Sequence, residues 1–523
     1  MLKYWRSFII VLMLKTKIHI SWQITAWCLG FVGGVALLSL ARFTVAAPWN
    51  YLLAALALGA LILACHSSTR LWLIVSVLSG VLIGLLRGGV TQSELAGYRA
   101  HFDKTVTVTA TVSDDLSSLR DKWSLTLSDV RIDGKLLGGK IWTSISKGSK
   151  ASIARSNQVT LSGKLSKGFG VYAATLQSAK LQKVVKWPGA DPMGQVRDWF
   201  GDNLHEVTND DEWALGMGIL AGQKSAQSDN MKATFIAAAL THILVASGYN
   251  LTVLVRFARR LFAKHARLLA LILAATLVIM FAGVTGMSAS MLRASMVAIL
   301  SLVLWYYGRN IHPVVLLSLV AAVSLMIDPT AIWGDVGWYL SFGSFAGVIL
   351  MAPLLQDYFY ADRMAAEQKR KWKGIKLKGW DRVNEWLGGL PQTISQILFE
   401  TISAQAFTLP IIAIFMGNVS IVGILTNILV LPLLPLAMLL TFTAGLSVAV
   451  APISVAIVIA TPAKWLLDFV LAVAAWGSEI PGGTADIKMP LWQAAVFYVV
   501  VALIVLALKR ITKHSYYSDN IVD

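Results

Sequence analysis

The stretch LWLIVSVLSGVLIGLLRGGV, residues 71–90, carries a single charge, Arg87. As a helix it reaches about 30 Å, the thickness of the hydrocarbon core of a bilayer. Shortly afterwards VTVTATV, residues 106–112, alternates apolar and polar positions, the period of a strand with one face in a core. A membrane helix leading into a half-buried strand sets the reading of the whole chain: a helical membrane protein with a small β-domain inserted near its start.

Composition agrees. The 523 residues are 56% hydrophobic and 14% charged, with a mean hydropathy of +0.66, too little polar sequence to coat a globule of this size. Apolar segments long enough to cross a bilayer begin at Trp22–Leu40, followed by Tyr51–Ala64 and residues 71–90. They resume at Phe235–Val255, Leu268–Val284, Met291–Tyr307, Val314–Ile327 and Val336–Leu355. After a polar break they continue at Ile397–Met416, Ile421–Thr443, Leu446–Ala460, Trp465–Trp476 and Leu491–Leu508. The fold class is a polytopic α-helical membrane protein of about twelve transmembrane helices. No small-residue cleavage site follows the first segment, so it reads as retained. Cys28 and Cys65 both fall in apolar segments and read as small buried hydrophobes, not as a disulfide framework.

Between residues 92 and 187 the alternating runs 106–112, 123–127 and 159–165, split by Asp133-Gly134 and Gly138-Gly139, describe a small antiparallel β-domain with room for a barrel of about five strands. Pro188, Gly189 and Pro192 close it. Residues 193–211 then read as an amphipathic helix with Val196, Trp199, Phe200 and Leu204 on its apolar side, lying on the membrane surface.

Orientation follows from where Lys and Arg collect. The net charge is +17. The cluster Arg256, Arg259, Arg260, Lys264, Arg267 and the basic break 356–392 read as cytoplasmic, with four segments between them. Counting back one span from the first places the β-domain outside, as does counting three spans from a basic N-terminus. The basic tail after Leu508 is cytoplasmic only if one of the last five segments does not cross, and the short, Trp-flanked 465–476 is the natural one to lie in the interface.

On the outer side the positive-inside rule explains no basic residue, yet residues 134–190 hold ten Lys or Arg and no acid. Such a surface attracts an anion, either lipid head groups or a nucleic-acid backbone. Lys135, Lys140, Lys147, Lys150, Arg155, Lys164 and Lys167, interleaved with Trp142 and Tyr172, combine charge with faces on which unpaired bases stack. Within the membrane segments, His242, Ser247, Gly248 and Asn250 in THILVASGYN (241–250) and Arg293 after a glycine-rich approach place polar groups at depth, where they face a cavity or pair across helices. No acid near His242 and Ser247 completes a hydrolytic triad. Asp202, His205, Glu206, Asp210 and Asp211 follow no metal-ligand spacing. No phosphate loop with Lys-Ser or Lys-Thr is present. Neither a catalytic set, a metal nor a cofactor is expected.

Further residues carry a resemblance. GILAG (218–222), THILVASG (241–248), LRASM (292–296), Gly308-Arg309, Asp328-Pro329, WYLSF (338–342) with Ser341, Leu409-Pro410 and TNILVLP (426–432) with Asn427 are similar, in order, to blocks of the ComEC competence proteins. The resemblance implies a channel taking single-stranded DNA across the inner membrane during natural transformation, with the outer domain an OB-fold. It divides the chain into a transmembrane region (1–91), the basic β-domain (92–187), interfacial helices (188–232), the channel domain (233–510) and a tail (511–523). Many relatives add a C-terminal metallo-β-lactamase-like domain. No His-x-His-x-Asp-His run is present here, so nuclease, motor and DNA receptor are expected as separate partners. Tyr249-Asn250 stands where relatives often have Leu-His. The rival class is a small-molecule or lipid transporter whose outer domain binds an anionic polymer, against which no inverted hydropathy repeat is found.

Overall fold

The computed structural model describes residues 19–41, 56, 70–119, 122–146, 153–186, 191–262, 267–309, 311–359, 392–514 and 516. Nearly all of the Tyr51–Ala64 segment and of the basic break 356–392, together with Lys147 and Lys150, lies outside them. The chain divides into two compact units, residues 1–190 with 311–338, and residues 191–310 with 339–523. The sequence reading carried 311–338 with the later membrane segments, whereas its contacts join it to the N-terminal unit.

In the first unit, α1 (Ile20–Ala41) and α2 (Arg70–Ala96) are apolar helices that cross at backbone contact. The cause lies in the glycines. A Cβ on Gly30 or Gly34 of α1 would collide with the carbonyls of Val77 and Val81, and one on Gly80 or Gly84 of α2 with those of Trp27 and Phe31. Reciprocal small-xxx-small spacing lets two helices approach this closely where no hydrophobic drive separates protein from lipid. The helix runs past residue 91 to Ala96, and a 3-10 turn (Gly97–His101) leads into the β-domain.

That domain comprises β1 (Thr105–Val112), β2 (Ser117–Leu119), β3 (Lys122–Ile132), β4 (Lys135–Leu137), β5 (Lys140–Ser146), β6 (Gln158–Lys167) and β7 (Tyr172–Val185). Alternate residues turn inward: Val108, Ala110, Leu125, Leu127, Ile141, Ile145, Leu161 and Leu165 are all buried in one core. Strand β1 pairs antiparallel with both β6 and β3, β3 with β5, β5 parallel with β7, and β7 antiparallel with β6, so the pairing returns to its start. The helix α10 (Pro313–Ile327) and the short α11 (Ala331–Gly334) complete the unit. Arg87 of α2 donates to the Met326 and Ile327 carbonyls at 2.8 and 3.1 Å, satisfying the end of α10.

The second unit begins with α3 (Pro192–His205) and α4 (Asp210–Ala221). The expected single amphipathic helix over 193–211 is therefore two, because Asn209 forms a capping box with Glu212 and starts the second. Leu204 is buried and Phe200 stacks on Phe442 at 6.0 Å, while Val196 and Trp199 stay exposed. Next come α5 (Asp229–Ala237), α6 (Thr241–Leu244) and α7 (Gly248–Phe262), so Phe235–Val255 is a broken segment and not one span. Arg256, Arg259 and Arg260 sit in α7 itself, not in a loop.

Helices α8 (Arg267–Val284), α9 (Ala289–Tyr306), α12 (Val336–Phe359) and α13 (Gln392–Phe415) follow. Then α14 (Gly423–Val430) and α15 (Leu434–Val450) form a pair bent by 52°. Helix α16 (Ile453–Glu479) is continuous through Trp465–Trp476, which is thus part of a 27-residue helix long and apolar enough to span and not a separate short stretch. With α17 (Leu491–Thr512) the last five sequence segments become three long apolar helices and the one bent pair. Among the described residues eight helices are long and apolar enough to cross a membrane, nine if the bent pair counts as one. The chain is a multi-pass membrane protein.

Candidate functional site

Two arrangements stand out, one in each unit. In the β-domain, β5 directs Ile141, Thr143 and Ile145 inward and Lys140 and Trp142 outward. The parallel register sets Lys140 opposite Tyr172 at the start of β7. Trp142 Nε1 donates to Ser124 Oγ at 2.8 Å, and the Tyr172 hydroxyl lies 3.5 Å from Thr126 Oγ1, so both rings are fixed against β3. Between them stands Phe169, from the turn joining β6 and β7, with ring centroids 5.8 Å from Trp142 and 5.2 Å from Tyr172, both edge-on. Phe169 is 56% exposed. A large aromatic held in the open by two others is a ready stacking face.

The glycines around Phe169 explain its placement. Gly168 leaves no room for a Cβ beside the Tyr172 carbonyl, Gly170 adopts φ +56°, and a Cβ on Gly334 would stand 2.5 Å from Gly170 Cα. The turn is therefore pinned against α11 within the same unit. Phe169 escaped the sequence reading because one aromatic in a Gly-Phe-Gly turn has no periodicity; its signal was the flanking glycines.

The basic residues divide by register. Thr105 pairs with Lys164, Lys140 with Tyr172 and Lys167 with Ala174, which collects Lys140, Lys164 and Lys167 at the end of the sheet that carries the aromatic trio. Lys135, on β4 opposite Ile132, belongs to the same end. Lys164 there binds Asp103 at 3.3 Å. Arg155 lies at the other end, in the turn whose Ser156 amide donates to Val112.

In the second unit the interrupted helix draws the polar motifs together. Leaving helical geometry between α5 and α7 strips backbone carbonyls of their partners, and each must be satisfied at depth. Gln227 Nε2 donates to the Leu244 carbonyl at 2.6 Å, Thr426 Oγ1 to that of Ala238 at 2.8 Å, and Ser420 Oγ to that of Ala237 at 2.7 Å. Asn250, fully buried, donates from Nδ2 to the Ile219 carbonyl at 2.9 Å and accepts from Ser247 Oγ at 3.3 Å. A Cβ on Gly218 would collide with the Leu244 carbonyl, and one on Gly248 would stand 3.2 Å from Ala294 Cβ, next to Arg293. So the blocks at 218–222, 241–250, 292–296 and 426–432, far apart in sequence, meet around one broken helix.

Within this arrangement His242 and Gly248 are exposed, Ser247 is half-buried, and Arg293 is buried. Asn427 is buried too, with no hydrogen-bond partner for Oδ1 among the described residues. Ser341, half-buried on α12, accepts through its carbonyl from Ser344 Oγ at 3.1 Å. Two sequence candidates stand apart. Arg309 is exposed just beyond α9. Asp328 belongs to the first unit, where its Oδ1 accepts from the Thr330 amide at 3.0 Å and hydroxyl at 2.5 Å. That is the geometry of a residue fixing a turn, and Asp328-Pro329 reads better as a structural corner than as a group lining a path.

His205 pairs with Asp210 at 2.9 Å and packs edge-on to Trp213, and no group of three metal-binding side chains occurs among the described residues. The family model described as "Competence protein" matches residues 219–511, more than half the chain. No curated protein and no solved structure matches it.

Proposed function

This chain belongs to the competence protein family, and from that premise we propose that it conducts single-stranded DNA across the bacterial cytoplasmic membrane during natural transformation. The family supports a role in DNA uptake; the single strand, the channel and the direction are our reading. In this reading the β-domain lies outside the cell, facing the incoming DNA. Its five long strands pair in the order of an OB-fold, with the third and fifth parallel. OB-folds bind oligonucleotides on the face of their second and third strands and on the loop between the fourth and fifth. Ser124 and Trp142 occupy that face and Phe169 that loop.

The observation that carries the proposal is this coincidence of the exposed Phe169, held between the half-buried Trp142 and Tyr172, with Lys140 and Lys167. Stacking is indifferent to sequence and contributes about 1–3 kcal/mol per base, and lysines follow the backbone. A captured strand then passes along the broken helix, where His242 and Ser247 offer polar contacts too weak to stall it, while the buried Asn250, Arg293 and Asn427 and the close-packed Gly248 shape the break. The chain performs no chemistry on the DNA in this reading, and separate proteins deliver, cut and pull the strand.

The test is binding of labelled single-stranded and duplex oligonucleotides to the full chain in nanodiscs across a salt series. Salt-sensitive binding that prefers the single strand, and that Phe169→Ala and Trp142→Ala weaken together, is expected. Equal binding by these variants, or none by the natural chain at low salt, refutes the capture role and favours a transporter whose outer domain meets anionic lipid.

A further inference from the structure

Helix α12 departs from α geometry at Gly347–Met351, a π turn closed by the Ala352 amide donating to the Gly347 carbonyl. Such a turn inserts a residue into the helix, loosens its hydrogen-bond ladder and is a place where helices bend. On one side it lies against α13, where a Cβ on Gly347 would collide with the Ser403 carbonyl. Past the turn, Phe359 stacks on Phe399 of α13 with ring centroids 5.2 Å apart.

A second hold on α12 comes from the tail. Helix α17 is capped by Lys513, whose φ of 53° lies in the left-handed region and turns the chain back. The Tyr516 hydroxyl then donates to the Leu350 carbonyl, inside the π turn, at 2.6 Å. Farther along α12, Asp357 Oδ2 lies 2.6 Å from His514 Nδ1. The His514 and Tyr516 rings meet edge-on at 4.9 Å, and Lys509 of α17 covers the Tyr516 face at 5.2 Å. The His514 and Tyr516 side chains are buried, whereas that of Asp357 is 48% exposed. Chain segments beyond the last helix fray unless something ties them down. This one is tied to the part of α12 whose own ladder is weakest, and again just past it.

We propose that the tail is a releasable strap: it holds the π turn of α12 closed, and its release lets the end of α12 beyond the turn bend away from α13 during transport. The strap is independent of what is transported; its release rests on the role in DNA uptake. Each tail contact is of modest strength and water reaches the Asp357 carboxylate, so the strap opens without unfolding the helices it joins.

The experiment uses the full chain, in nanodiscs for hydrogen exchange, and in a transformable host lacking its own copy for DNA uptake. Tyr516→Phe removes the bond to Leu350, and His514→Ala the one to Asp357. Either is expected to speed exchange of the amides of 347–359 by roughly tenfold, while those of α8 exchange as in the natural chain. Unchanged exchange at 347–359 in both variants overturns the strap, and so does equal acceleration in α8, which would report a general loosening of the fold. For the release, Asp357→Cys and His514→Cys are combined in a chain carrying Cys28→Ala and Cys65→Ala, and joined by a short bis-maleimide with a reducible link. Uptake is expected to stop on cross-linking, to recover on reduction, and to be unaffected by the reagent when either new cysteine is present alone. Equal uptake by this chain before and after cross-linking overturns the release and makes the tail a fixed part of the fold. Absence of uptake by the natural chain overturns the parent role in DNA uptake instead, and the exchange result stands apart from it.

Discussion

Alanine at Gly84 should loosen the crossing of α1 and α2. Its Cβ would collide with the Phe31 carbonyl and stand 2.9 Å from Val35 N, where 3.4–4 Å is ordinary contact. Both obstacles are backbone, which cannot swing aside as a side-chain tip can, so the two helices must separate by several tenths of an ångström. Overpacking of this kind costs about 1–3 kcal/mol. The gain in helix propensity from Gly to Ala returns about 1 kcal/mol, leaving a net loss of roughly 0–2 kcal/mol. Gly33 supplies the control, since a Cβ there meets nothing within 4 Å and only the propensity gain remains. Gly34→Ala should behave like Gly84→Ala. The double variant should lose less than the sum, because helices already parted by one methyl accommodate the second. Unfolding midpoints of the purified chain in one detergent, compared across the four variants, measure this. Equal midpoints for Gly84→Ala and Gly33→Ala would falsify the close-contact account.

Asn250→Ala removes the donor to the buried Ile219 carbonyl and should cost about 1–3 kcal/mol in the same unfolding assay, with uptake falling in parallel; an unchanged midpoint argues that the bond is not formed. Lys140→Gln should lower the salt slope of single-strand binding by about 0.7, while Lys164→Gln, whose ammonium is engaged with Asp103, should change it by less than half as much. Equal changes would mean that Asp103 gives up its partner when DNA binds. The Glu212 carboxyl is held above its ordinary value of 4.5, by burial first and by the Asp468 carboxylate, against the Asn209 amide and the Lys464 ammonium. A raised value makes its contribution to stability complete below about pH 4.5 and lost as the pH rises through the native value. Glu212→Gln keeps the capping box, so its midpoint should gain on the natural chain as pH increases from there; a pH-independent difference refutes the assignment.

How much of this was legible beforehand depends on the range of the interactions. The strands β1, β3 and β6 were readable because inward and outward positions alternate residue by residue along the chain. Apolar length was equally plain for α8, α9 and α17. The breaks were not. Phe235–Val255 has the composition of a span, and what divides it is the supply of distant donors, Gln227, Ser420 and Thr426, that make a non-helical backbone tolerable. The opposite happened at residues 465–476, where short length and flanking Trp residues suggested an interfacial stretch and the residues belong to a continuous helix long enough to span, with Lys464 taken up by Glu212 at 4.0 Å.

The site divides in the same way. Lys140, Trp142 and Tyr172 were recognised by residue type, but only pairing register showed that Lys140 stands beside Tyr172 and that Arg155 is at the far end of the sheet. Phe169 became visible only when its turn was seen wedged between two rings. The sequence alone determined that this chain lives in a membrane, carries a small basic β-domain and shares ordered motifs with competence proteins, because hydropathy, period and charge are local properties. Which helices break, which cations remain open to an anion and which aromatic faces outward were decided by the tertiary structure, because each depends on a partner supplied from a remote part of the chain.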